Sequence, residues 1–309
     1  MVPALERPWA ERVPAPALVL VAIVSVQLGS AVARTVFDEV GANGIALLRL
    51  AIAGLILCAI VRPRVWRWSA RQIGAATLLG LTMGAMNISF YLSIRSVPLG
   101  VAVTVEFIGP LLVALVQSRR TRDVGCVLLA GAGVALLGLD GDTDVPLAGL
   151  SLALLAGLFW GGYILASARV GRLVPGLDGL AVALVVGALL ALPFGVEGAV
   201  DGVRVPAVLL AGVAVALLSS IVPYGLELAA LRRLPTRVFG VLLSLEPAAA
   251  ALAGLVVLGQ RLGGRELVAL VLVSLASVGV TVGRREPCDE SPRGDERDLA
   301  PARRGGGQP

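Results

Sequence analysis

Residues 95–114 read RSVPLGVAVTVEFIGPLLVA, and residues 232–251 read RRLPTRVFGVLLSLEPAAAA. Slid by 137 positions, they place Arg95 on Arg232, Pro98 on Pro235, Val101 on Val238, Pro110 on Pro247 and Ala114 on Ala251. A shared Ala, Leu and Val bias alone accounts for some of these matches, but two prolines at one spacing are harder to obtain by chance. Each stretch also carries a glutamate in an apolar run, Glu106 four residues before Pro110 and Glu246 directly before Pro247.

The surrounding chain has 309 residues, 57% hydrophobic and 15% charged, with a mean hydropathy of +0.89. A soluble domain is about 45–50% apolar and about 25% charged. The excess is too large for a water-soluble core, and helices of about 20 apolar residues crossing a lipid bilayer are the economical reading. Ten candidate runs occur, at 16–33, 43–61, 72–94, 99–117, 124–139, 147–167, 178–195, 207–230, 236–258 and 265–283. Short connectors such as Arg62-Pro63-Arg64 and Asp140-Gly141-Asp142 separate them. The copies of the repeated segment fall in the fourth and ninth runs, an offset of five, so the second half enters the membrane from the opposite side, as in inverted-repeat transporters. The expectation is an all-α membrane protein of ten transmembrane helices in two inverted five-helix repeats. An N-terminal segment 1–16 precedes the first repeat at 17–139; the second spans 147–283, and a polar tail at 284–309 is expected to be disordered. Behind the first apolar run there is no small-residue cleavage site, which reads as a retained helix rather than a removed signal peptide.

Charge sets the orientation. All 26 basic residues are arginine. With the N-terminus in the cytoplasm, sixteen of them fall in inside segments and five (Arg34, Arg95, Arg204, Arg261 and Arg265) outside. That bias puts both termini in the cytoplasm. The arginines flank apolar runs instead of forming a basic patch with aromatics, so nucleic acid is not the expected partner. There is no histidine, and Cys58, Cys126 and Cys288 have no ligand spacing, so neither a metal nor a cofactor is expected. A membrane-embedded enzyme would need a nucleophile–base pair or a metal, and the usual partners are missing.

The residues worth questioning are those that cost free energy to place in hydrocarbon, about 2.5–3.5 kcal/mol for a charge at a helix centre. Arg49, Glu106, Glu227 and Glu246 lie inside predicted spans, with Gln27, Asn87, Tyr91, Tyr163 and Tyr224 as polar neighbours. Each proline of the repeat frees a backbone carbonyl, tolerable where the break lines a cavity. Glu106 and Glu246 beside these breaks form a candidate cation or proton site; the alternative is that they pair with Arg49 or reach the interface. Glu227 is placed either against substrate or in an ion pair with Arg232 or Arg233. Arg49 needs an anion, from a protein carboxylate or from a substrate. Trp160 and Tyr163, within Gly157-Leu158-Phe159-Trp160-Gly161-Gly162-Tyr163, either pack helices closely or wall a cavity.

Asn87-Ile88-Ser89-Phe90-Tyr91-Leu92-Ser93-Ile94, followed by Val97-Pro98-Leu99-Gly100 and Glu106-Phe107-Ile108-Gly109-Pro110, resembles the threonine and homoserine exporters. So do Pro223-Tyr224, Leu234-Pro235-Thr236-Arg237-Val238-Phe239-Gly240 and Glu246-Pro247. Those exporters form part of the EamA group of the drug/metabolite transporter superfamily, and the resemblance runs from about residue 17 to 283. It implies two EamA-like repeats in an inner-membrane secondary transporter, an antiporter that uses the proton gradient to export small amino acids. Exporters of drugs or other metabolites in the same superfamily are the competing class. Implied partners are an amino acid, protons and the lipid bilayer, and the superfamily's range of assemblies includes a homodimer. Glu106, Glu227 and Glu246 match the exporters' pattern. One position departs: where they usually carry Leu-Gly-Glu after the ninth span, this chain has Leu258-Gly259-Gln260.

The charge bias has a direct consequence. An alkaline phosphatase fused after Pro309 should be inactive and a green fluorescent protein fused there bright; an active phosphatase would reverse the topology.

Overall fold

The computed structural model describes residues 13–117, 121–138, 145–231, 233–234 and 236–283, and the expectations for segments 1–12, 140–144 and 284–309 lie outside them. Helices α1 (Ala15–Thr35), α2 (Phe37–Val61), α3 (Ala70–Ser93), α4 (Leu99–Glu106), α5 (Ile108–Gln117) and α6 (Thr121–Gly138) make the first half. The second half comprises α7 (Leu147–Leu173), α8 (Asp178–Val203), α9 (Pro206–Ala216), α10 (Val222–Leu231), α11 (Thr236–Leu243), α12 (Glu246–Leu258) and α13 (Gly264–Gly283). A single π-helical turn, Leu217–Ile221, joins α9 to α10. No strand occurs among the described residues.

Local chemistry sets the helix ends. Pro14, Pro98 and Pro146 cap α1, α4 and α7; a proline there fixes φ before a turn whose N–H groups have no helical partner. Ser69 and Gln72 form a reciprocal capping box at the start of α3, with Gln72 Oε1 accepting the Ser69 N–H at 2.8 Å. Gly259 closes α12 in the left-handed conformation, with φ 66°. Three helices outrun the apolar windows. α2 starts at Phe37 rather than at 43, because Asp38 and Glu39 suit a helix N-terminus, and Gly41 kinks it with φ 69°. α7 and α8 extend to Leu173 and Val203, since charged residues end an apolar run without ending backbone hydrogen bonding.

Nine helical segments are long and apolar enough to cross a membrane among the described residues. The predicted run not among these nine is the fifth, α6, an 18-residue helix with Arg122 and Asp123 in its first turn that packs along α13. The outer surface is apolar, and charged and polar side chains are buried inside an otherwise apolar core. Leu55, Phe194, Leu210 and Val256 are 61–71% exposed on the outer surface, whereas Arg49, Asn87 and Glu106 are buried. Lipid tails suit such a surface and water does not.

Two predicted spans are broken in the middle. The fourth divides between α4 and α5 at Phe107, and the ninth divides between α11 and α12 at Ser244 and Leu245. An offset of 137 carries α4 (Leu99–Glu106) onto α11 (Thr236–Leu243) end for end. Pro110 has no N–H for the carbonyl of Glu106, nor Pro247 for that of Leu243, so both chains turn at equivalent places. Contacts follow the same offset: α3 packs on α7 as α10 packs on α1, α5 on α7 as α12 on α1, and α3 on α8 as α9 on α2.

Close backbone approach holds the first break. A Cβ on Gly109 would overlap the Gly157 carbonyl oxygen, and one on Gly157 would lie 2.5 Å from the Glu106 carbonyl oxygen. Only glycine lets α7 come this near. Gly157→Val should therefore destabilise the protein by about 1–3 kcal/mol through overpacking, read as a lower unfolding midpoint in detergent. Gly171→Ala, on the same helix with open space around its Cβ, should not lower the midpoint. Equal midpoints for both variants would contradict the close packing.

Candidate functional site

A central cavity of about 680 Å³ lies between the two halves, within the range of about 300–1,000 Å³ common for small-molecule sites. Its walls come from α1, α2, α3, both broken segments, α7, the π turn with α10, and α13. Of the ten residues singled out by sequence, Gln27, Arg49, Asn87, Glu106, Trp160, Tyr163, Tyr224, Glu227 and Glu246 line it. Tyr91 is fully buried behind the wall and holds Arg49.

The breaks deliver the acids. Glu106 ends α4 and Glu246 begins α12, so each sits where its segment turns. Glu227 reaches the cavity from α10, close enough that it and Glu106 bear electrostatically on Glu246. Of its two suggested interfacial partners, Arg232 lies outside the described residues, and Arg233 donates to the carbonyl of Val13 at 2.9 Å.

Among the described residues, Arg49 is the basic residue on the cavity wall. Its guanidinium donates from Nη2 to the Ser219 carbonyl at 2.7 Å, from Nη1 to the Tyr91 hydroxyl at 3.2 Å and from Nε to the Ser220 hydroxyl at 3.3 Å. All three acceptors are neutral. The carboxylate partner that sequence allowed for is not in direct contact, although the charge of Arg49 is felt at Glu106. A guanidinium has five N–H donors, so two remain for an incoming acceptor. The π turn makes this grip available, because π-helical turns redirect backbone groups and recur at functional sites. Ser219 and Ser220 carried no sequence signal, since a π turn in Leu217-Leu218-Ser219-Ser220-Ile221 has no periodicity of its own.

Aromatic residues complete the enclosure. Trp160 meets Phe107 edge to face, with ring centroids 5.1 Å apart. Tyr163 and Tyr224 approach each other across the cavity. The helix lining repeats at 137 positions: Val26, Gln27 and Ser30 of α1 answer to Tyr163, Ile164 and Ser167 of α7, and Met86, Asn87 and Phe90 of α3 to Pro223, Tyr224 and Glu227 of α10. No group of histidine, cysteine and acidic residues suited to a metal occurs among the described residues. Gln260, the departure noted above, accepts the Leu99 N–H on Oε1 at 3.0 Å. It ties the end of α12 to the start of α4, an acceptor role open to a neutral amide as well as to a carboxylate.

Apolar walls, membrane-length helices and a charged cavity of solute size define a multi-pass membrane protein built around an internal binding chamber. Residues 147–282 match the EamA-like transporter family. The threonine/homoserine exporter RhtA of Salmonella typhimurium (strain LT2) is 45% identical over 273 residues, covering 87% of this chain and 92% of its own. RhtA of Escherichia coli (strain K12) is 44% identical over 271 residues, with the same coverage. A solved crystal structure of a protein shares the fold, with a TM-score of 0.58 and 21% identity over 86% of this chain and 96% of its own. The chain belongs to the EamA-like transporter family, and its relatives are transporters, not enzymes.

Proposed function

We propose that this protein is an inner-membrane secondary transporter that exports small amino acids of the threonine and homoserine class in exchange for protons. The observation that carries the reading is the charge distribution of one cavity. Among the described residues, three carboxyl groups, Glu106, Glu227 and Glu246, share it with one guanidinium, Arg49, whose three hydrogen bonds leave two of its five N–H groups for a ligand. A zwitterion fits this arrangement, its carboxylate on Arg49 and its ammonium among the acids. The names of the RhtA relatives point to the same cargo.

The acid excess supplies the coupling. A carboxylate kept from water is costly unless a cation or a proton accompanies it, so ammonium and proton compete for one set of oxygens. Loading from the cytoplasm displaces protons, and a proton entering from outside releases the amino acid. Ten helices in two inverted repeats, with both termini in the cytoplasm, would rock about this central site. The matching breaks of α4/α5 and α11/α12 support that symmetry. In the exchange, Glu106 and Glu246 receive the ammonium or the proton, Glu227 adds negative charge, Tyr91 supports Arg49, and Asn87, Trp160, Tyr163 and Tyr224 enclose the solute.

Cells lacking their own exporters should tolerate otherwise toxic threonine or homoserine when they produce this protein. Glu246→Gln should cut export by about tenfold or more, the weight of one charge-assisted bond, with protein level unchanged. A variant that exports normally would remove Glu246 from the coupling. A panel of amino acids, dyes and other metabolites in proteoliposomes separates amino-acid export from drug export.

A further inference from the structure

Among the described residues, four side chains keep a buried polar atom without a hydrogen-bond partner: Gln27, Asn43, Asp123 and Ser274. Of these, Gln27 lines the cavity. Its side chain is 2% exposed and its Oε1 is unpaired. An unpaired buried amide destabilises a fold, and one aimed into a solute chamber is accounted for when a ligand satisfies it.

The backbone around Gln27 is fixed. Ser25 Oγ donates to the Leu218 carbonyl at 2.7 Å and Ser219 Oγ to the Val26 carbonyl at 3.4 Å. One turn further along α1, Gly29 lies so close to the π turn that a Cβ would overlap Ser219 Oγ. That same turn carries the Ser219 carbonyl and Ser220 hydroxyl that grip Arg49. Gln27 and the guanidinium are thus registered against one rigid element. Ser30, one helical turn along α1 from Gln27, lines the cavity too. The equivalent position to Gln27 in the second half is Ile164, which has no polar group, so the amide belongs to one end of the chamber only.

We propose that Gln27, with Ser30 beside it, receives the side-chain hydroxyl of the transported amino acid. The inference rests on the export reading and adds to it the group that selects hydroxylated cargo. A hydroxyl both donates and accepts, and an amide offers an acceptor oxygen and a donor N–H, so the two saturate each other. Sites built to bond a hydroxyl discriminate against analogues that lack it, because the buried polar group is then left bare. Threonine and valine make the cleanest comparison, differing only by hydroxyl against methyl.

The test measures threonine and valine efflux from proteoliposomes holding wild-type protein, Gln27→Met or Ser30→Ala. Wild type should favour threonine, and Gln27→Met should lower the threonine-to-valine ratio by about tenfold or more. Ser30→Ala should lower it in the same direction. The unfolding midpoint of Gln27→Met in detergent should match or exceed that of wild type, because the amide has no partner to lose. A wild-type preference that survives in Gln27→Met overturns the hydroxyl site while leaving the export reading intact. So does a fall in the midpoint of Gln27→Met, which would make the amide structural. Wild-type protein that moves neither amino acid overturns both.

Discussion

A charge in the middle of a hydrocarbon slab must be enclosed by protein, and much of this architecture follows from that constraint. Arg49 cannot face lipid, so it is buried among Tyr91, Ser219 and Ser220. These are neutral acceptors, which stabilise the guanidinium without cancelling its charge. Had one of the glutamates closed on Arg49 as a salt bridge, the cavity would be internally neutralised and less able to attract an ion. Instead the positive charge is held at one wall, while Glu106 and Glu246 sit at the two helix breaks and Glu227 faces the cavity from α10.

Enclosure in turn requires backbone irregularity in places where a bilayer does not tolerate it, except around a cavity. Three devices provide it. Pro110 and Pro247 interrupt the two broken segments at positions related by 137 residues. Gly109 and Gly157 let α7 seat against the first break at backbone distance. The π turn at Leu217–Ile221 brings carbonyl and hydroxyl groups to the arginine. Each is a local loss of regular helix that places polar groups where a solute of amino-acid size can meet them.

Hydropathy made the spans legible because crossing hydrocarbon leaves few compositional choices. The cost of buried charge made Glu106, Glu246 and Arg49 legible for the same reason. The prolines marked both breaks. What stayed hidden depended on tertiary contact. Tyr91 read only as a polar neighbour of the buried charges, whereas in the fold it buttresses Arg49 from behind, and Ser219 and Ser220 looked like small residues in an apolar helix. Gln260 read as a missing carboxylate, whereas in the fold it tethers the N–H of Leu99. The start of α2 was missed because Asp38 and Glu39 ended the apolar window, although acidic residues favour the first turn of a helix.

In the proposed exchange, one set of carboxyl oxygens serves ammonium and proton in turn. It is tested most directly in proteoliposomes loaded with threonine and a pH-sensitive dye, with no imposed pH gradient. Threonine leaving down its own gradient should acidify the lumen, because each departing ammonium is replaced at the acids by an incoming proton. Efflux of threonine with lumenal pH unchanged would contradict the account.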